Sequence, residues 1–277
     1  MNAVQITAAV LISVGAVCVL CLLCWFSNSC LTVTRHEIYS GKLARDLRIV
    51  HLSDLHAKRF GKKNRRLVKA VKKQKPDIIV FTGDIIHLYK KPGEEAALEL
   101  VEQLAKIAPF YYVSGNHEMR YRDYRFFSRR LADAGAVVLE NEYIVKFGVA
   151  IVGLGCAHLK NNKIFEITPD FGTYKILLAH EPQFLRRYAR AGYDLVLSGH
   201  AHGGQWRFLG QGVYAPGQGL LPELTSGEHI LGSTHMIISR GLGNSEFPLR
   251  INNRPEVVVI DLKKAKILIL GRKKTMK

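Results

Sequence analysis

Two histidines separated by one residue stand at the end of an apolar run near the C-terminal third of the chain. His200 and His202 belong to the stretch L-S-G-H-A-H-G-G at residues 197–204, which follows the run Tyr193–Leu197. Four further apolar runs end in polar side chains of similar chemistry. Those side chains are Asp54 and His56, Asp84, Asn116 and His117, and His180. Because ligands and catalysts gather beyond the carboxyl ends of strands in α/β sheets, we expect the five clusters to meet in one site.

The donor atoms of these clusters indicate a metal centre. Leaving His117 aside, they provide imidazole, carboxylate and amide groups and no thiolate, which suits Mn²⁺, Fe²⁺ or Zn²⁺. Residues two apart in a strand point the same way, so Asp54 and His56 should bind on one side if the strand extends that far. Gly199 and Gly203 flank the histidine pair and leave that loop freer to turn toward a metal.

Taken singly, each of these residues has an ordinary structural interpretation. A lone histidine such as His180 is more often a structural residue than a ligand. Asp84 and Asn116 are residue types that turns favour. The joint pattern of five clusters in order reverses this balance in favour of a site.

Strands and helices alternate around the clusters. The predicted strands lie at 47–52, 77–81, 110–113, 136–140, 142–147, 149–154, 175–179, 193–197, 234–239, 256–261 and 265–270. The predicted helices lie at 62–75, 93–107, 124–134 and 182–190. Such alternation is typical of α/β layers, so the sequence predicts a layered α/β domain.

The five clusters resemble the motif blocks of the calcineurin-like metallophosphoesterases. The pattern of that family is D-x-H, G-D, G-N-H-[DE], a single His and G-H-x-H, and all five blocks occur here in order over residues 54–202. The resemblance implies a four-layer αββα sandwich that hydrolyses phosphodiester or pyrophosphate bonds. It also implies two divalent metal ions as cofactors, with Mn²⁺ as the expected metal and Fe²⁺ or Zn²⁺ as alternatives.

The same resemblance implies a role for each site residue. One ion would be bound by Asp54, His56 and His202, the other by Asn116, His180 and His200, and Asp84 would bridge the two. Two ions about 3.5–4 Å apart would clamp the phosphate oxygens and generate a hydroxide that attacks phosphorus. The resemblance puts His117 outside the ligand set, as the catalytic residue that protonates or stabilises the leaving oxygen.

Later stretches resemble a narrower branch of the family, the single-pass, membrane-anchored bacterial phosphoesterases. They are the continuation Gly203–Gln205 and the runs S-R-G-L-G at 239–243 and P-L-R-I-N-N-R-P-E at 248–256. Some members of that branch cleave UDP-2,3-diacylglucosamine in lipid A synthesis. Two substrates therefore stay open: this glycolipid nucleotide, or the varied substrates of a general phosphodiesterase of the cell envelope.

Residues near the blocks gain less support from the pattern. Glu118 either orients its neighbours or has a structural or surface role, and both alternatives stay open. Five further histidines are expected to be structural or exposed, although two of them, His158 and His235, are candidates for the pocket wall. The five are His51, His87, His158, His229 and His235.

The N-terminal segment predicts a membrane anchor. Residues 8–26 carry no charge and would form a helix of roughly 28 Å, about one hydrocarbon core. A cleaved signal peptide is the alternative, but residues 1–7 contain no Lys or Arg. Basic residues at 35, 42, 45 and 48 then favour an inner-membrane protein with its catalytic part in the cytoplasm. The expected division is an anchor at 1–30, a lead-in segment at 31–46 and a metallophosphoesterase domain at 47–277.

The charge of the chain indicates an anionic partner. Formal net charge is +17, from 40 Lys and Arg against 23 Asp and Glu. The expected partners are a phosphorylated small-molecule or glycolipid substrate and an anionic membrane surface. No recognised DNA-binding motif or basic–aromatic RNA motif occurs, which argues against nucleic acid. A basic nucleic-acid- or lipid-binding module and a metal-binding scaffold, both without catalysis, are the alternative classes.

Overall fold

The computed structural model describes residues 2–88, 93–156, 167, 172–244 and 247–265. It opens with helix α1 (Ala3–Ser29), whose side chains are almost all exposed and whose mean hydropathy is 2.8. At 1.5 Å per residue the helix measures roughly 40 Å, which exceeds a hydrocarbon core. Within the described ranges it is the one helix that is long and apolar enough to cross a membrane.

The remaining elements form one α/β domain. The strands are β1 (Thr32–Ser40), β2 (Leu47–Leu52), β3 (Ile78–Thr82), β4 (Phe110–Val113), β5 (Ala136–Val138), β6 (Glu142–Lys146), β7 (Val149–Leu154), β8 (Tyr174–Ala179), β9 (Leu195–Ser198), β10 (Arg207–Phe208), β11 (Gln211–Gly212), β12 (Tyr214–Ala215), β13 (Gly219–Leu220), β14 (Gly227–Leu231), β15 (Thr234–Ile238) and β16 (Glu256–Lys264). The helices are α2 (Arg65–Lys73), α3 (Glu94–Ala105), α4 (Asn116–Arg120), α5 (Tyr124–Asp133) and α6 (Leu185–Arg190).

Two six-stranded sheets face each other. The first has the order β1-β16-β2-β3-β4-β5, and β2 to β5 run parallel. The second has the order β14-β15-β9-β8-β7-β6, in which β15, β9, β8 and β7 run parallel. Short antiparallel hairpins, β10–β11 and β12–β13, follow the second sheet's central strands.

Three apolar layers hold these elements together. Side chains of both sheets, such as Val80 and Leu197, form a fully buried layer between the sheets. Leu67 of α2 and Leu100 of α3 pack on the outer face of the first sheet, and Tyr188 of α6 packs on the outer face of the second. The four-layer αββα sandwich that the sequence predicts is therefore confirmed.

The predicted elements shift mainly at their ends, but β1, β10 to β14 and α4 were not predicted. Helix α2 begins at Arg65 instead of residue 62, because Lys63 and Asn64 adopt left-handed backbone angles. Residues 32–40, inside the predicted lead-in segment, form β1 and pair in parallel with β16. The strand predicted at 265–270 lies almost wholly outside the described residues.

The topology explains why the polar clusters can meet. Strands β2, β3 and β4 run parallel in the first sheet, so the residues that follow them lie at one edge. Strands β8 and β9 do the same in the second sheet. Face-to-face packing brings the two sets of strand ends together, which is where ligands bind in such sheets.

Candidate metal centre

All eight sequence-predicted site residues converge at these strand ends. They line or lie just beneath a cleft of about 320 Å³. The cleft is lined by His56, Asp84, Asn116, His117, Arg120, Glu181, His200, His202, Pro216 and Gly217. Asp54 and His180 are fully buried below it.

One group of donor atoms joins the loop after β2 to the loop after β9. Asp54, His56 and His202 each direct one donor atom to a common point. The Nε2 atoms of His56 and His202 lie 3.0 Å apart, and Nε2 of His202 lies 3.5 Å from Oδ1 of Asp54. Donor atoms bound to one ion at about 2.1 Å would lie roughly 3.0–3.4 Å apart, so these two separations are close to those of a metal site.

A second group joins the loops after β4, β8 and β9. Nε2 of His180 lies 3.1 Å from Oδ1 of Asn116 and 3.1 Å from Nδ1 of His200. These separations fit a second ion by the same criterion. A third set of donor atoms, from His56, Asp84 and His117, also lies within 4.8 Å of one another.

Asp84 lies between the two groups. Its Oδ2 atom is 3.6 Å from Nε2 of His56 and 3.3 Å from Nε2 of His180. The same carboxylate is therefore within reach of donors from both groups. The buried His and Asp side chains fit a binuclear site for divalent metal ions.

The backbone at these positions is unusual. Asp54, His56, Asp84, His200 and His202 all have φ between 47° and 66°, in the left-handed region. Few residues other than glycine adopt that region, and such strain persists where surrounding structure enforces it, commonly at functional sites. Strand β2 ends at Leu52, so the condition for strand alternation to orient Asp54 and His56 is not met. Left-handed turns orient them instead.

Close packing between loops explains two of the glycines. A Cβ atom at Gly199 would overlap Oγ of Ser53 and Oδ2 of Asp54, and one at Gly115 would overlap Oδ1 of Asp84. Glycine is therefore needed at position 199 because no Cβ atom fits there, and not because the backbone must turn freely. Gly203 does adopt a left-handed φ of 64°.

Glu118 is a positioning residue that holds two of these loops. It is fully buried, and its carboxylate accepts hydrogen bonds from the backbone N–H groups of Asp84, Gly115 and Ile86 at 2.7, 2.8 and 3.1 Å. The orienting alternative for Glu118 is thus the one that the geometry favours. Burial, then Asp84, raises the pKa of Glu118 to about 7.

His117 lies at the mouth of the cleft. Its Nδ1 atom accepts a hydrogen bond of 3.0 Å from the backbone N–H of Leu88, and its Nε2 atom lies 4.0 Å from Oδ2 of Asp84. An Nδ1 atom that accepts a hydrogen bond carries no proton. In the neutral ring the proton is therefore on Nε2, on the side of Asp84.

One histidine that was expected to be structural or exposed lies in the site. His87 is buried, and its ring centroid is 5.4 Å from that of His56 and 5.1 Å from that of His117. Its position three residues after Asp84, beyond the end of β3, is the signal that could have identified it. By contrast, His51 is buried against Thr82, His235 pairs with Glu228, and His158 lies outside the described residues.

Burial keeps most of the imidazoles neutral. It lowers the pKa of His56 and of His200 to about 3, and that of His202 well below its usual value. Neutral imidazole is the form that binds metal. These three rings are therefore ready to act as ligands at neutral pH.

His180 differs because of Asp84. Burial is the largest single influence and opposes protonation of its ring, but Asp84, Asp54 and the carbonyl of Thr82 together raise the pKa of His180 to about 10. In turn, burial disfavours the charge on Asp84, yet His180 and its neighbours hold the pKa of Asp84 well below its usual value. Without metal, the pair is an imidazolium beside a carboxylate. Nδ1 of His180 binds the carbonyl of Thr82 at 2.7 Å, which leaves Nε2 to face the site.

The sequence profile of the calcineurin-like phosphoesterases matches residues 47–204, from the start of β2 to the loop that carries His200 and His202. The chain belongs to the calcineurin-like phosphoesterase family. Family membership supports phosphoester hydrolysis as the chemistry of the site, and a binuclear divalent metal centre fits both the family and the buried ligands.

Relatives of known sequence carry related descriptions. Metallophosphoesterase YkuE of Bacillus subtilis is 31% identical over 83% of this chain and 85% of its own length. Phosphodiesterase YaeI of Escherichia coli is 29% identical over 86% of this chain and 88% of its own length. A transmembrane protein with a metallophosphoesterase domain from Bos taurus is 28% identical over 79% of this chain and 53% of its own length.

We predict that Glu118→Gln lowers metal affinity by about 10–100-fold, as is usual for residues that orient ligands. It should also lower the free energy of unfolding by about 1–3 kcal/mol, because the amide leaves a buried backbone N–H without an acceptor. Metal content and thermal unfolding measure the two effects. Glu102→Gln, which alters an exposed pair with Lys106, is the control and should change neither. Unchanged metal affinity in Glu118→Gln would contradict the positioning role.

Metal binding should release protons at neutral pH. The raised pKa of His180 means that its Nε2 atom is protonated in the metal-free protein, and metal must displace that proton. Apparent affinity should therefore rise with pH, by up to about tenfold per pH unit for one proton, between roughly pH 6 and pH 9. Titration calorimetry in buffers of different ionisation enthalpy counts the protons. A binding enthalpy that is independent of the buffer would refute the prediction.

Proposed function

We propose that this protein is a membrane-anchored, two-metal phosphoesterase that hydrolyses a phosphodiester or pyrophosphate bond in an amphiphilic substrate. The position of Asp84 carries this proposal. Its Oδ2 atom lies within 3.6 Å of one imidazole from each donor group, which is the arrangement that a bridging carboxylate requires.

In this proposal the two donor groups hold the two ions. Asp54, His56 and His202 bind one, Asn116, His180 and His200 bind the other, and Asp84 contacts both. When bound, two divalent ions supply Lewis-acid chemistry to the phosphate oxygens and a nucleophile from water at neutral pH. The nitrogen and oxygen donors suit Mn²⁺, Fe²⁺ or Zn²⁺, of which we propose Mn²⁺.

His117 would act on the substrate directly. Because Nδ1 accepts the Leu88 N–H, the neutral ring presents an Nε2–H group to the cleft. That group can donate a hydrogen bond to the leaving oxygen or to a phosphoryl oxygen as charge develops there. Acting as a full general acid would require a proton on Nδ1 and so loss of the Leu88 hydrogen bond. Of the two roles that the resemblance allows, we therefore propose stabilisation of the leaving oxygen.

Charge around the cleft favours a phosphorylated substrate. Arg120 lies at its rim and is exposed. The helix that carries Arg120 begins at Asn116, directly after β4. A cation at this point attracts phosphate groups and remains charged at every physiological pH.

The contacts at the end of α1 support a fixed anchor. Lys58 donates a hydrogen bond of 2.7 Å to the carbonyl of Asn28, Arg66 one of 2.7 Å to that of Ser29, and Arg254 one of 3.0 Å to that of Cys30. Arg66 and Arg254 thus place two cations at the last carbonyls of the helix, whose dipole favours positive charge there. Lys58 differs, because burial lowers its pKa to about 7. The basic groups on the domain side of the helix support a single-pass inner-membrane protein whose catalytic domain faces the cytoplasm and contacts anionic lipid.

An amphiphilic substrate would unite these features. Its phosphate would reach the metal centre, and its acyl chains would stay near the bilayer that holds α1. Among specific substrates we propose UDP-2,3-diacylglucosamine, on the basis of the branch that the late sequence stretches resemble. General phosphodiester hydrolysis at the envelope is the alternative.

Purified full-length protein with Mn²⁺ should hydrolyse a chromogenic phosphodiester in mixed micelles. Asp84→Ala should lose metal and reduce turnover by more than about 100-fold, because a bridging ligand matters more than a residue that only orients ligands. Full turnover with both metals retained in Asp84→Ala would contradict the proposed site.

UMP release from UDP-2,3-diacylglucosamine in the same micelles tests the specific substrate. Hydrolysis of the chromogenic phosphodiester without release of UMP would exclude this glycolipid nucleotide as the substrate and favour the general phosphodiesterase.

We expect His117→Ala to lower turnover by about 10²–10³-fold with near-normal metal content, since one hydrogen bond to developing charge has this magnitude. His117→Gln retains an N–H donor and should recover part of the loss. Loss of metal in His117→Ala would instead make His117 a ligand. A glutamine variant as inactive as alanine would argue against the hydrogen-bond role.

A further inference from the structure

Exposed apolar side chains cluster on the two hairpins and on the segment that follows residue 246. We call this set the hairpin patch: Phe208, Leu209, Leu220, Leu221, Phe247 and Leu249. Leu220 and Leu221 are 77% and 69% exposed, and Leu209 is completely exposed. Single exposed apolar residues are ordinary, but a contiguous group marks an interaction surface.

Hydrogen bonds and ring contacts connect the chain segments that carry the patch. Nε1 of Trp206 donates to the carbonyl of Leu249 at 3.1 Å, and the Trp206 ring lies 5.8 Å from that of Phe247. The backbone N–H of Arg207 donates to the carbonyl of Ile251 at 3.0 Å. The second hairpin joins them, because the N–H of Leu221 donates to the carbonyl of Val213 at 2.9 Å.

The patch adjoins the point where α1 leaves the domain. Asn28, in the last turn of α1, accepts a hydrogen bond of 2.9 Å from the backbone N–H of Arg250 and donates one of 3.0 Å to its carbonyl. Arg250 stands between Leu249 and Ile251, so these side chains lie beside the helix end. If α1 spans the bilayer, its C-terminal end marks the membrane surface at this place.

The patch also adjoins the metal centre. Pro216 and Gly217, in the turn between β12 and β13, line the cleft, and Leu220 follows in the same hairpin. The guanidinium of Arg250, fully buried, reaches to 3.4 Å from Nδ1 of His202. One arginine side chain therefore spans the distance between the membrane helix and a predicted metal ligand.

We propose that the hairpin patch inserts into the lipid interface beside α1, so that the cleft opens at the membrane surface. The occupant is a bilayer that contains anionic lipid. The patch is apolar with Trp206 and Tyr214 at its base, residue types that favour the membrane–water boundary, while Arg66 and Arg254 lie at the adjacent helix end. This inference rests on the proposed membrane anchor and extends it: an amphiphilic substrate would enter from the lipid, past the hairpins.

The native tryptophans provide the probe. The chain has two, Trp25 in α1 and Trp206 in the patch, so Trp25→Phe leaves Trp206 as the sole emitter. Full-length Trp25→Phe protein is reconstituted in phosphatidylcholine vesicles with about 25% phosphatidylglycerol, with or without brominated acyl chains. Interfacial insertion reaches about 5–10 Å, so bromines near the acyl carbonyl should quench Trp206 at least about twofold, and bromines near the chain end much less.

Two paired substitutions in the Trp25→Phe background test whether the patch causes this contact. Leu220→Asp with Leu221→Asp should abolish most of the quenching. The control is Tyr143→Asp with Val145→Asp, two exposed apolar residues on edge strand β6. The loop after β6 contacts Arg45, which follows the end of β1 that points away from α1, so the control pair is remote from the anchor. In this control variant, brominated lipid should quench Trp206 to the same extent as in the Trp25→Phe parent.

Absence of quenching in the Trp25→Phe parent with either brominated lipid would overturn the proposal, whatever the variants do. Quenching that persists in Leu220→Asp with Leu221→Asp would overturn it as well. A doubled mass in detergent, together with unquenched Trp206, would assign the patch to a second copy of the chain. Hydrolysis of the chromogenic phosphodiester by the same vesicles reports on the proposed function independently, so the two failures are distinguishable.

Discussion

The buried carboxylate of Asp84 is the constraint on which the rest of the site depends. It lies 3.3 Å from His180 and 3.6 Å from His56, and a buried charge in this position is costly unless it is paired. Two neighbours stabilise the charge on Asp84. His180 is held protonated beside the carboxylate, and the backbone N–H of His117 donates to Oδ1 of Asp84 at 2.9 Å. The buried carboxylate of Glu118 accepts a hydrogen bond from the backbone N–H of Asp84. This bond fixes the turn at Asp84, so that the Asp84 side chain faces both donor groups.

Packing two sheets face to face is what brings these groups into range. Loops from the two sheets approach so closely that no side chain fits at Gly199, and most predicted ligands adopt left-handed backbone angles. This strain is sustained by the fully buried layers on both sides of each sheet. The fold therefore stores unfavourable backbone geometry at the site, and core packing elsewhere offsets it.

Helix α1, the proposed membrane anchor, is docked onto the α/β domain by specific hydrogen bonds. Asn28 binds the backbone of Arg250, whose side chain ends beside His202, and three basic side chains hold the last carbonyls of the helix. In the proposed membrane-anchored protein, a docked helix would fix how the domain faces the bilayer. That orientation would give the hairpin patch and the cleft a defined place relative to lipid, which a flexible linker would not.

Residue types and their order along the chain determined the strand and helix alternation, the donor chemistry of all five clusters and the apolar N-terminal helix, because these are local properties. Tertiary structure alone decided the pairing of β1 with β16 and the burial of His87. It also decided the hydrogen bonds from the loop backbone to Glu118 and the contact between Asn28 and Arg250. Asn28 and Arg250 are 222 residues apart, and no local periodicity records such a contact. Strand alternation could not place Asp54 and His56, because β2 ends at Leu52 and the following backbone bonds to the loop after β3.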